Sequence, residues 1–357
     1  MIEYNFTQKD DDFLKINELS KRLGISTRTI RFYEQNGLLP SVQREHNQYR
    51  IFVEEDIWRL QTIIALREAG MAIKEIKQAL EPQGLPDSQR LRYYLELQRS
   101  LLTTQWLEMK RMAETTEQMI DLLQTQQTLP IQEIYHLADQ AKHLRELRQN
   151  WRDQWNFDQR AQTHDEDVQT RSEDYPHYEQ ALTYTAELIH ATSGEHGLDL
   201  GIGTGNLAGR LLTSGAHLSG VDQSQEMLKQ CQNKFPMIDT RIGNVLAIPY
   251  PDNHFHFVVS SFTFNHLNPQ QQLLALTEIH RVLKPHGRLC LTDRIVVHSA
   301  ITDDSLSTSS ASDLGLQSTY HELQHPAVLE WFEEHFYMTN YYTIEQEVGC
   351  LLAVSLH

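Results

Sequence analysis

The stretch Asp199-Leu200-Gly201-Ile202-Gly203-Thr204-Gly205-Asn206 carries the clearest chemical signal in the 357-residue chain. It follows a strand pattern and opens a helical one, which is where a doubly wound sheet receives a nucleotide-like ligand. A pyrophosphate wants Gly-x-Gly-x-x-Gly so that it can sit on the helix N-terminus. Here the third glycine comes one residue early and Asn206 holds its expected place, so a phosphate-free nucleoside with its cationic end near Asp199 suits the loop better. Asp222 ends Gly220-Val221-Asp222, where two rigid oxygens can accept from both hydroxyls of a ribose. Gln223, Asn244, Val245 and Ser260, near the ends of the next strand patterns, complete the predicted nucleoside site. His266 follows the fourth strand and could serve as a base, with a packing or hydrogen-bonding role as its equal alternative. His164, Tyr175 and Tyr178 could line an acceptor pocket, a reading that competes with tyrosines on an ordinary exposed helix.

A second group of chemically capable residues lies near the N-terminus. Asn17 to Leu23 reads as a helix stopped by Gly24, and Ser26 can cap a second helix, Thr27 to Gln35. That helix presents Thr27, Arg28, Arg31 and Tyr33, and the polar turn before Ile51-Phe52 adds Arg44, Tyr49 and Arg50. Arginine can donate two hydrogen bonds to guanine or pair with phosphate, and the smaller groups can meet backbone or a thymine methyl. The chain's net charge of −17 speaks against nucleic acid until it is divided. Lys15 to Arg50 holds seven basic residues against three acidic, whereas Asn150 to His357 holds eleven against twenty-six. A basic head sits on an acidic body.

Both groups need elements to position them. Residues 13–82 alternate short helices with turns and one short β pattern, predicting an all-α winged helix-turn-helix domain. From 88 to 127 there is neither glycine nor proline, and Leu91, Leu95, Gln98, Leu102, Gln105, Met109, Met112, Thr116, Met119 and Leu123 step by four and three. That is the coiled-coil repeat and predicts a homodimer. Residues 128–150 read as a helical linker. From 151 to 357, strand patterns at 198–201, 218–222, 240–242, 255–260 and 289–292 alternate with helical ones, and two more strands close the chain, predicting an α/β doubly wound, Rossmann-like domain.

The order of residues from Lys15 to Leu39, followed by Asn47-Gln48-Tyr49-Arg50-Ile51-Phe52, resembles the MerR family of transcriptional regulators. The resemblance implies a dimer joined by an antiparallel coiled coil. It also implies double-stranded promoter DNA as partner, with an overlong spacer twisted so that RNA polymerase can engage it. Phe52 stands where that family commonly has tyrosine, and no cysteine lies between 80 and 130, unlike the metal-sensing branch. Gly243-Asn244-Val245-Leu246-Ala247-Ile248-Pro249-Tyr250, Phe255 to Leu267, and Arg281-Val282-Leu283-Lys284-Pro285-His286-Gly287 resemble the successive landmarks of class I methyltransferases that use S-adenosylmethionine (SAM). In that family an aspartate that receives the adenine amino group usually stands at the position of Asn244, and asparagine predicts weaker or altered binding. The segment Phe157 to Asp165 resembles the part of small-molecule methyltransferases that folds over the cofactor, with His164 where tyrosine is frequent.

Two readings of the body follow: it methylates a small molecule while reporting to the promoter, or it is catalytically silent and senses SAM or its demethylated product, SAH. Methylation of a macromolecule is a third, disfavoured for nucleic acid by the acidic body. Cys231, Cys290 and Cys350 have no metal or redox spacing. His321-Glu322-Leu323-Gln324-His325 matches a zinc-protease pattern, but five-residue matches arise by accident, Pro326 restricts His325 and no third ligand is spaced for it, so no metal is predicted. The N-terminus lacks the basic start and apolar run of a secretory leader, and no stretch approaches a membrane span, which predicts a cytoplasmic protein without a membrane partner.

Overall fold

A computed structural model describes residues 14–39, 43–44, 50–68, 70–80, 87–125, 131–149, 156–171, 173–294, 326–345 and 347–357. Tyr49, the serine-rich run 305–312 and the zinc-protease pattern at 321–325 lie outside them. The chain divides into two compact units, Met1–Arg99 and Ser100–His357.

In the first unit β1 (Leu14–Lys15) leads into α1 (Ile16–Leu23), which ends at Gly24 in the left-handed conformation. α2 (Thr27–Gln35) starts where the Ser26 hydroxyl accepts the Thr29 N–H at 3.0 Å, the cap its sequence predicts. β2 (Gln43–Arg44) and β3 (Arg50–Phe52) form the wing, and β1 joins them in an antiparallel sheet of order β1-β3-β2. This small sheet qualifies the all-α expectation. α3 (Glu54–Glu68) and α4 (Ile73–Leu80) close a core around Leu19, Ile30, Leu38, Phe52, Leu60 and Ile63.

α5 (Asp87–Thr125) is one helix of 39 residues, counted with the first unit up to Arg99 and with the second from Ser100. α6 (Ile131–Gln149) is more than a connector. Leu144 and Leu147 pack on the core of the second unit, and the buried Arg148 donates from Nε to the Leu246 carbonyl at 3.1 Å.

The remaining helices before the sheet are α7 (Phe157–Arg160), α8 (His164–Thr170) and α9 (Tyr178–Ile189). β4 (His196–Leu200), α10 (Asn206–Leu211), β5 (His217–Asp222), α11 (Gln225–Lys234), β6 (Asp239–Ile242), β7 (Phe255–Ser261), α12 (Pro269–Val282) and β8 (Leu283–Arg294) alternate as predicted. α13 (Pro326–Glu334), β9 (Tyr337–Ile344) and β10 (Val348–Ser355) follow. The seven strands run β6-β5-β4-β7-β8-β10-β9, parallel from β6 to β8, with β10 antiparallel to both β8 and β9. After β4 the chain moves outward through β5 and β6, then returns to the other side of β4 for β7. The order therefore reverses at the carboxyl end of β4, which opens a crevice there.

Candidate functional site

The glycine loop occupies that crevice. Gly201 has φ +71°, and a Cβ there would meet Thr263 Oγ1 at 2.2 Å, so the backbone requires glycine on two counts. A Cβ on Gly203 would instead find only His164 Nε2 at 3.8 Å and the Gly201 carbonyl at 4.0 Å, because that face borders a cleft. The cleft holds about 850 Å³ counted out to solvent, a size that suits a small ligand.

Asp222 lies in its wall. Its Oδ2 accepts the Gly203 N–H and its Oδ1 the Ser224 N–H, both at 2.9 Å. Gly201, Gly203, Gln223, Asn244 and Val245 line the same cleft, whereas Gly205 lies behind it and opens α10. Asn244 Oδ1 already accepts the Leu246 N–H at 2.8 Å, so the asparagine shapes its own loop as well as the cleft.

Asp199 lies beneath the glycine loop and is buried. Its Oδ2 accepts the Ala208 N–H at 3.2 Å, while Oδ1 has no hydrogen-bond partner among the described residues. Burial, and then the nearby Asp222, push its carboxyl up to about 7. Ser260 is a correction: its hydroxyl donates to the Leu200 carbonyl at 2.7 Å inside the sheet, and the cleft is lined instead by Ser261 and Phe262. Alternation along β7 turns neighbouring side chains to opposite faces.

His164, Tyr175, Tyr178 and His266 all reach the cleft. Tyr175 meets His164, Tyr178 and Phe262 with ring centroids 5.7, 5.8 and 5.7 Å apart, and Phe157 meets His266 at 5.5 Å. Phe262 holds φ +51°, an uncommon backbone for an aromatic residue, fixed by its N–H donating to the Thr292 carbonyl at 2.9 Å. Burial pushes both imidazoles down to about 4. For His164 the attraction of Asp165 opposes burial, while Arg160 and Lys234 reinforce it; for His266 the reinforcement comes from Arg160 and Arg294. Both rings are therefore neutral near pH 7.

Asp165 supplies a clamp that the motifs did not announce. It accepts from Thr204 Oγ1 at 2.6 Å and Asn206 Nδ2 at 3.0 Å, and pairs with Lys234 at 2.7 Å, tying α8 to the glycine loop. Asp158 likewise accepts from Ser224 Oγ at 2.5 Å. These partners are about forty or more residues away, and only the fold brings them together.

In the first unit Arg28 and Arg31 are exposed on α2 and Thr27 is half-buried. Tyr33 is 7% exposed and belongs to the core, a correction that follows from its sharing the inward face with Ile30. Arg50 is tied to α2 through Nε to Glu34 Oε2 at 2.7 Å, which orients the wing. Arg44 sits opposite Arg50 in the ladder, with its side chain outside the described set.

Residues 14–83 match the MerR HTH family of regulatory proteins, and residues 198–287 match a methyltransferase-domain family. The chain joins a MerR-type helix-turn-helix domain to a methyltransferase domain. Curated relatives include an uncharacterized methyltransferase from Alkaliphilus oremlandii, 31% identical over 141 residues, 38% of this chain and 65% of that protein. Another, from Bacillus thuringiensis, is 28% identical over 182 residues, 49% of this chain and 80% of its own. The crystal structure of a SAM-dependent methyltransferase from Aquifex aeolicus overlaps 56% of this chain and 98% of its own, at 18% identity and a TM-score of 0.40. Among the described residues no helix is long and apolar enough to cross a membrane.

Proposed function

We propose that this chain is a DNA-binding regulator whose methyltransferase domain takes SAM and methylates a small molecule. One observation carries the reading: the open face of Gly203, the cleft-facing Asp222 and the unsatisfied buried oxygen of Asp199 converge at the point where the strand order reverses. They fit a ligand with a ribose and a sulfonium better than a pyrophosphate, which the Asp222 carboxylate would repel. When bound, SAM supplies an electrophilic methyl group on a sulfonium. Asp222 would hold the sugar, Asn244 and Val245 the base, and the rings of His164, Tyr175, Tyr178 and Phe262 would exclude water and position the acceptor. His266, neutral and pushed down to about 4, is a weak base and better suited to accepting a hydrogen bond.

Exposed Arg28 and Arg31 support the DNA-reading role. Leu95, Leu102 and Met109, at seam positions of α5, are 43, 44 and 60% exposed in the single chain, as expected of a face that a second copy covers. The test is calorimetry with SAM and SAH, followed by incubation with methyl-labelled SAM and extract from the source organism. Uptake of neither compound removes the enzymatic reading. Uptake without any labelled product, with DNA affinity that depends on SAM, would leave a silent sensor. Binding to its own upstream region no tighter than to random DNA at matched salt would remove the promoter role.

A further inference from the structure

The loop that would carry the base of the cofactor is held from behind. Asn244 and Val245 line the cleft, and the backbone that follows them is pinned at three carbonyls. Arg148 on α6 donates to Leu246 at 3.1 Å, while Arg281 on α12 donates to Ile248 at 2.9 Å and to Tyr250 at 2.8 Å. The Ile248 N–H donates to Glu278 Oε2 at 3.1 Å, and the same oxygen pairs with Arg281 at 2.8 Å. The position of the loop therefore depends on the buried guanidinium of Arg281.

Helix α5 reaches that guanidinium. Arg281 lies 5.4 Å from the centroid of the Trp106 ring, and the Lys110 ammonium, one helical turn further along α5, lies 5.4 Å from the same ring. Asp252 joins the two cations, pairing with Arg281 at 2.9 Å and with Lys110 at 3.1 Å. An aromatic face over a guanidinium attracts it and limits the water that competes for its donors. Arg148 in turn lies in the field of Glu108 and Arg111 on α5. Both arginines that pin the loop thus answer to one helix, which precedes the sheet in sequence and carries the seam positions Leu102 and Met109.

We propose, resting on the SAM reading above, that Trp106 and Lys110 are positioning residues of the cofactor site, setting the base-reading loop through Arg281 and Asp252. The helix expected to pair two copies of the regulator is then also part of the methyltransferase's binding site. A loop that drifts loses its hydrogen bond to the base, whereas Asp222, braced by the Gly203 and Ser224 N–H groups, keeps the ribose. The signature of the proposal is a loss of base discrimination.

The probes are SAH and its inosine analogue, in which a carbonyl replaces the adenine amino group, titrated into full-length protein. Wild type should prefer SAH by about tenfold or more, because a site built to accept from an amino group leaves that acceptor unpaired against a carbonyl. Trp106→Ala should lower SAH affinity by about three- to tenfold while changing that of the analogue by less than about twofold. Trp106→Phe keeps a ring face and should recover most of the difference. Lys110→Ala makes the same comparison without removing a large side chain; at a partly exposed ion pair it should cost SAH about twofold, and Lys110→Arg should restore it. A brace that served stability alone would lower the melting temperature and weaken both probes equally. That result, a Trp106→Ala protein with wild-type SAH affinity, or a wild type that does not distinguish the probes would overturn the proposal. Failure of wild type to take up SAH at all would instead remove the cofactor reading, and this inference with it.

Discussion

The two ends of the cleft are built in different ways. The glycine-loop end is made by backbone: eight consecutive residues, a positive φ at Gly201 and the open face of Gly203, with Asp222 bracing the Gly203 N–H. The proposed acceptor end is made by side chains from separate elements, Phe157 on α7, Tyr175 before α9, Phe262 after β7 and His266 beyond it. A backbone-built site tolerates little substitution but binds a constant ligand. A side-chain-built site can change its ligand one residue at a time, which is the arrangement expected where one cofactor serves many acceptors.

The largest test of that contrast is Gly201→Val. A β-branched residue at φ +71° carries strain of about 1–3 kcal/mol, and its Cβ would also displace Thr263 from the cleft wall. SAH affinity should fall at least about hundredfold by calorimetry. Arg160→Gln, behind the Phe157 and Tyr175 walls, should alter SAH affinity by less than about twofold. If both variants lose SAH equally, the two ends are not separable and the contrast fails.

A smaller effect comes from Asp199. Its carboxyl, pushed up to about 7, binds a proton more readily than the value of 3.8 for an exposed aspartate. A ligand cation favours the carboxylate, so binding releases a proton and affinity rises with pH as Asp199 ionises. Between pH 5.5 and 7.5 the SAH association constant should increase by about three- to tenfold, and Asp199→Asn should flatten the profile. A profile that is level in wild type, or still rising in the variant, would place the titrating group elsewhere. In the unliganded protein the sign is opposite. The raised folded value means that stability is full below 3.8 and declines as pH rises towards about 7.

The same division explains what could be read before folding. Order and type of elements were legible because α2, α5 and the alternating body have strong periodicity, and because Ser26 and Gly24 mark helix ends chemically. The glycine loop and Asp222 were legible because their spacing is local. Ser260 and Tyr33 were misplaced for one reason: each lies on an element whose two faces differ, and the inward face depends on neighbours remote in sequence. Asp165 and Phe262 escaped notice because their contacts exist only across the fold. The polarity of α6 predicts a linker, and its few apolar residues nonetheless suffice to dock it.

The smallest effect lies at Asn244, where the two modes of construction meet. Its Oδ1 fixes the loop by accepting the Leu246 N–H, and the Leu246 carbonyl is held in turn by Arg148. The loop's later carbonyls, Ile248 and Tyr250, are held by Arg281, so its backbone is pinned whatever residue 244 is. An aspartate there keeps the acceptor for Leu246 and offers a charged second oxygen to the adenine amino group, a stronger hydrogen bond than an amide carbonyl makes. Asn244→Asp should therefore raise SAH affinity by about two- to fivefold, with little change in melting temperature, since the loop is already braced. A loss of affinity would mean that the amide nitrogen of Asn244, rather than its oxygen, faces the base. The adenine end would then depend on a side-chain donor as specific as any residue at the acceptor end.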